Sequence, residues 1–219
     1  MLHHNNCFSI FVLFTPLALN MKAKVVSDSM LSRLEPYHLS YLKESLQLDE
    51  IEVLADGGKD SQFLLSHKSD LVACLRTEAC DLVLISAGQN DINHLVLGGS
   101  VLSVADEVAS RIIGHLSLLG SNFPQTCFVF LPLTARAVCS KRTRHGESLK
   151  QSYIDKVNHV IRRVSSRLST FSMSNVNIVD GESLFSSPLV GCDGIHFSSQ
   201  GTDKYLAHCM VEIKSMKPN

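Results

Sequence analysis

Four short segments of this chain carry residue types that could do chemistry. Ser27-Asp28-Ser29 follows an apolar run. A serine at a strand end, directly before a helical stretch, has its hydroxyl at the top of a sheet. The following helix then turns free N–H groups and its positive end toward that spot. This suits a nucleophile whose product is an oxyanion, although Ser and Asp are also favoured helix caps. Ala55-Asp56-Gly57-Gly58-Lys59 follows a second apolar run. Its paired glycines permit positive φ and close backbone approach to a ligand, or a plain turn. Gly88-Gln89-Asn90-Asp91 follows a third. An Asn amide there can donate to a developing negative charge, or form an Asx turn or cap. Asp193-Gly194-Ile195-His196 precedes a C-terminal helical pattern. An Asp three residues before a His can hold one imidazole nitrogen through a local turn, which frees the other as a base. Each segment is weak alone, because turns and caps use the same residue types.

Composition removes several other chemistries. Lys and Arg number 20 against 21 Asp and Glu, a net charge of -1, so there is no global basic field for DNA or RNA. Neither G-x-G-x-x-G nor G-x-x-x-x-G-K-[ST] occurs, so nucleotide-fold fingerprints are missing. The seven cysteines are odd in number and form no C-x-x-C pair, which argues against zinc and for free thiols acting as small hydrophobes. No metal and no cofactor is expected.

The elements that must position these segments are legible as an alternation. Five short apolar runs read as strands: Ala23–Val26, Ile51–Leu54, Leu82–Ala87, Cys127–Leu131 and Val176–Val179. They lack polar alternation, as expected of strands covered on both faces. Helical spacing of apolar residues marks Val101–Leu119, Ser148–Leu168 and about Ser199–Met216. The second of these carries Lys150, Lys156, Arg162, Arg163 and Arg167 on its outer face, read as a solvated face. Strand–helix alternation over five strands predicts a doubly wound parallel sheet, with function just beyond the carboxyl ends of the strands. Residues 1–20 stand apart from the 21–219 domain. Cys7–Leu19 is a thirteen-residue uncharged stretch, too short for a straight membrane span and without flanking Lys or Arg. It reads as a signal, an anchor or a dispensable extension, and membrane contact is expected only if it is retained. With no N-x-S/T sequon in the chain, a cytoplasmic location is favoured over secretion.

Taken together, the four segments resemble the SGNH hydrolases, also called the GDSL esterase/lipase family. Ser27-Asp28-Ser29 matches the first block, Gly58 (with Gly57 as the rival) the glycine of the second, Gly88-Gln89-Asn90-Asp91 the third, and Asp193-Gly194-Ile195-His196 the D-x-x-H block. The resemblance covers roughly Lys22 to Met216. It implies a three-layer α/β/α fold with a flavodoxin-like five-stranded sheet. It also implies roles: Ser29 as nucleophile, His196 as general base and Asp193 as its orienting carboxylate. The implied oxyanion hole comprises the N–H groups of Ser29 and Gly58 and the amide of Asn90. The implied substrate is a small-molecule, lipid or glycan ester, with short acyl or acetyl groups favoured. Ser27 departs from the family, whose first block opens with glycine. If that position needs positive φ or tight packing, a Cβ costs roughly 1 kcal/mol or more. The first block also resembles esterase domains of some animal retrotransposons. The alternatives are an O-acyltransferase with the same triad, a non-catalytic SGNH-fold binding protein, and a flavodoxin-like cofactor domain that would leave the D-x-x-H unexplained.

Overall fold

The computed structural model describes residues 20–96, 98–137, 151–186 and 189–216, and for His94 the backbone alone. The N-terminal extension before residue 20, the predicted helix start at 148–150, and Cys7 and Cys139 lie outside the described residues.

Five parallel strands form one sheet: β1 (Lys22–Ser27), β2 (Glu50–Ala55), β3 (Leu82–Ser86), β4 (Cys127–Phe130) and β5 (Val176–Ile178). Their spatial order is β2-β1-β3-β4-β5. The chain steps from β1 outward to β2, then crosses back over β1 to β3. The order therefore reverses between β1 and β3, and the carboxyl ends of those two strands open a crevice.

Strand pleating divides the core. Ala23, Val25, Leu82, Leu84, Val129 and Leu131 pack on one face, against α1 (Pro36–Leu46) and the C-terminal helix α7 (Ser199–Ser215). Val26, Val83, Ile85, Phe128 and Phe130 pack on the other. Over them lie α2 (Ser61–Leu65), α3 (Asp70–Thr77), α5 (Val101–Asn122) and α6 (Gln151–Leu168), while the short α4 (Gln89–Leu95) follows β3. The result is the expected three-layer α/β/α arrangement. The apolar faces of α5 and α6 face the core as read from their spacing; Ile154, Val157, Val160, Ile161, Val164 and Leu168 of α6 are all buried. Ser100 caps α5 by accepting the Ser103 N–H, and Ser198 caps α7 by accepting the Gly201 N–H.

Two expectations need correction. β2 is not covered on both faces. It is the edge strand, and Glu50 and Glu52 are exposed. Those carboxylates serve β1 in register: Glu50 pairs with Lys22 at 2.8 Å, and Glu52 with Lys24. Lys24 is only 5% exposed and also faces Glu78, so its charge enters the sheet with partners. Second, no helix begins directly after β1. Residues 28–33 form turns and α1 starts at Pro36, so Ser29 does not sit at a helix N-terminus.

Candidate active site

Ser27 ends β1 fully buried, and the chain then turns sharply. The Ser27 hydroxyl accepts the Leu31 N–H at 3.1 Å and donates to the Asp28 carbonyl at 3.0 Å. The Asp28 carboxylate, also fully buried, accepts the Met30 N–H at 3.0 Å through Oδ1. Ser29 lies at the crest of this turn, half-buried, its carbonyl accepting the Ser32 hydroxyl. Ser27 is absent from the residues with positive φ, which among the described non-glycine residues are Asn20 and Gln47. The position of the departed glycine therefore does not require positive φ. An ordinary L-residue fits, and its hydroxyl braces the turn.

The loop after β2 comes beside this turn. A Cβ placed on Gly57 would sit 3.9 Å from the Ser29 Cβ. Gly58 has φ +82° with open space where a side chain would project, so glycine is the residue that adopts this conformation without strain. Asn90 joins the same cluster. Gly88 is the N-cap of α4 at φ 109°, and the Asn90 side chain makes no cap. Its amide instead donates to the Lys59 carbonyl at 2.8 Å, tying the β3 loop to the β2 loop. Asp91 anchors that tie from below. It is fully buried and accepts the Ser61 N–H at 2.8 Å, the Ser61 hydroxyl at 2.7 Å and Arg111 at 3.0 Å. Gln89 donates its side-chain amide to the Thr134 carbonyl, reaching the loop after β4.

Asp193 and His196 form the local turn expected of their spacing. His196 Nδ1 lies 2.8 Å from Asp193 Oδ2, and Oδ1 accepts the N–H groups of both Ile195 and His196 at 2.9 Å. Gly194 supplies φ +68° at the bend. Burial alone would raise the Asp193 carboxyl. The bonds from His196 and the two backbone N–H groups outweigh it and hold the group below its ordinary range. Asp193 is thus an ionised acceptor that orients the ring, with Nε2 on the far side. The turn hangs from a short antiparallel bridge, Val190 to Phe197, directly ahead of α7.

The structure brings Gly57 beside Ser29, ties Asn90 to the loop of Gly57 and Gly58 through the Lys59 carbonyl, and pairs Asp193 with His196. Ser29 Oγ and His196 Nε2 are not hydrogen-bonded to one another. One residue bonded to the Asp193–His196 turn escaped the sequence reading. Arg136, after β4, is 6% exposed and donates to the Ile195 carbonyl at 2.9 Å. No local pattern marks it, because its partners lie far away in sequence. Among the described residues no cluster of His, Cys, Asp and Glu could hold a metal ion.

This fold has counterparts among solved structures. The chain superposes on a lipase, Lip_vut3, from a goat rumen metagenome with a TM-score of 0.62 at 15% identity, covering 90% of this chain and 97% of that one. The inhibitor-bound aryl esterase of M. smegmatis gives a TM-score of 0.61 at 18% identity, with 89% and 99% covered. A member of the lipolytic G-D-S-L family from Veillonella parvula gives 0.57 at 13%, with 90% and 100% covered. The chain has the SGNH hydrolase fold. That fold runs through nearly the whole length of each of these proteins. No protein-family model matches the sequence, and no curated protein matches it.

Proposed function

We propose that this protein is a serine esterase that hydrolyses a carboxylic ester, with a short acyl or acetyl group, through an acyl-serine intermediate. The observation that carries this reading is the Asp193–His196 pair at 2.8 Å, set at the same sheet end as a serine turn, an open positive-φ glycine and a buried-anchored Asn. Ser29 Oγ attacks the acyl carbon while His196 Nε2 takes its proton, and Asp193 stabilises the imidazolium. The carbonyl oxygen becomes an oxyanion, held by the N–H groups of Ser29 and Gly58 and by the second amide hydrogen of Asn90, the first being engaged by Lys59. Collapse expels the alcohol, which takes the proton from His196. Water, activated by the same base, then releases the acid. The likeness in fold to a lipase and an aryl esterase supports this chemistry. Ser27 gives no argument for a degenerate site, because it braces the turn.

Exposure to a fluorophosphonate followed by peptide mapping tests the reading. The label is expected on Ser29, to be absent from Ser29→Ala and slowed in His196→Ala. In hydrolysis of a p-nitrophenyl acetate ester, Ser29→Ala should lose nearly all turnover, and Asn90→Ala should lower kcat by about 10²–10³. Full activity in purified Ser29→Ala, or a label elsewhere, would overturn the proposal.

A further inference from the structure

Arg136 braces the turn that carries Asp193 and His196. Its backbone is clamped from α6: the Arg136 N–H donates to Asn158 Oδ1 at 2.7 Å, and Asn158 Nδ2 donates back to the Arg136 carbonyl at 2.9 Å. The pair of bonds fixes where the side chain starts. From there Arg136 Nη1 reaches the Ile195 carbonyl at 2.9 Å, and the next residue, Ala137, donates its N–H to the Gly194 carbonyl at 3.2 Å. These two bonds land on the two residues between Asp193 and His196. The guanidinium also attracts the carboxylates of Asp28 and Asp193. Asp28 is fully buried, its Oδ2 has no hydrogen-bond partner, and it is the residue next to Ser29. A buried carboxylate needs a nearby cation, and a guanidinium can serve it while still donating elsewhere, because its five N–H groups fan out in a plane.

We propose that Arg136 is a positioning residue of the esterase: one buried guanidinium, its backbone clamped to α6 and its Nη1 bonded to the Ile195 carbonyl, holds the turn that carries Asp193 and His196. The proposal rests on the esterase reading above. It gives Arg136 no contact with substrate. It assigns it the placement of the base, where a displacement on the order of 1 Å lowers turnover about 10²-fold. Lysine could supply the charge to Asp28 but not the planar fork.

The test compares wild type with Arg136→Lys, Arg136→Ala and Asn158→Ala in p-nitrophenyl acetate hydrolysis and in fluorophosphonate labelling of Ser29. Arg136→Ala is expected to lower kcat about 10²-fold with KM unchanged, and to slow labelling in parallel. Arg136→Lys should recover part of the loss. Guanidinium ion added at sub-denaturing concentration should raise kcat of Arg136→Ala and leave wild type unchanged, a response that lost packing alone would not give. Asn158→Ala keeps the guanidinium and loosens its base, so it should lower kcat less; it remains decisive if Arg136→Ala does not fold. Wild-type kcat in folded Arg136→Ala or in Asn158→Ala, or a loss confined to KM, overturns the proposal. A wild-type protein that hydrolyses no ester and leaves Ser29 unlabelled defeats the esterase reading itself, and this one with it.

Discussion

At Ser27 a hydroxyl stands where the resembling family has no side chain, and its oxygen accepts the Leu31 N–H across the turn that carries Ser29. Sequence comparison alone makes this residue a defect, since a Cβ in a glycine position implies strain. The backbone there does not take positive φ, so the sign of the effect reverses. Ser27→Gly removes one buried hydrogen bond, worth about 1 kcal/mol, and adds the chain entropy of glycine, about 0.5–1 kcal/mol. Urea unfolding should show Ser27→Gly less stable by about 1–2 kcal/mol, and kcat should not exceed that of wild type. A more active or equally stable variant would show that the hydroxyl does nothing for the turn. The same scale shows why Asn90 is legible as a candidate yet its partner is not. Its amide type is visible in sequence, whereas the Lys59 carbonyl it engages lies 31 residues earlier.

Among the elements, α7 and the loop before it act as one unit. The Ser198 N–H donates to the Leu189 carbonyl at 3.0 Å, and the first turn of α7 presses on the same residue. A Cβ on Gly201 would lie 1.7 Å from the Leu189 carbonyl oxygen, an impossible contact with backbone. Gly-to-Ala in a helix ordinarily stabilises by about 1 kcal/mol, but here the clash must move α7 or the loop. Because that loop carries His196, Gly201→Ala should lower both the unfolding midpoint and kcat, read by thermal unfolding and ester hydrolysis on one preparation. A stabilised variant of full activity would mean that α7 does not fix the loop. The long helices α5 and α6 are legible from their apolar spacing. The short ones, α2 through α4, are not, since five to eight residues give too few turns for a periodic face to emerge. The turn after β1 has a similar cause: Asp28 and Ser27 bond their own following N–H groups, which local polar residues do in competition with a helix.

For the molecule as a whole, Asp28 couples the site to global stability. Burial drives its carboxyl up to about 6 from 3.8, against the opposing pull of the Met30 N–H and the Arg136 charge. The folded protein therefore keeps a proton that the unfolded chain releases between about pH 4 and pH 6. Across that window stability contributed by Asp28 falls as pH rises, by about 3 kcal/mol in total, and stays lost above it. Asp28→Asn keeps an acceptor for Met30 and does not titrate. The unfolding free energy of wild type minus that of Asp28→Asn, measured in urea at pH 4 and pH 7, should drop by about 3 kcal/mol; a flat difference would place Asp28 in water or in a stronger pair.

What the sequence determined by itself is everything carried by local pattern. Apolar runs and 3.6-residue spacing specify five strands and the long helices, and the rule that ligands gather beyond parallel strand ends points to the four polar segments. The Asp193–His196 pair is likewise local, made across three residues. Only the tertiary structure decided that β2 is the exposed edge, that β1 and β3 flank the reversal of strand order, that Ser27 braces its turn, and that Arg136 donates to the Ile195 carbonyl. The physical reason is distance along the chain. A hydrogen bond between Arg136 and a carbonyl 59 residues away has no periodicity to announce it. It exists because packing two layers of helices on one twisted sheet fixes where the loops at its carboxyl end must meet.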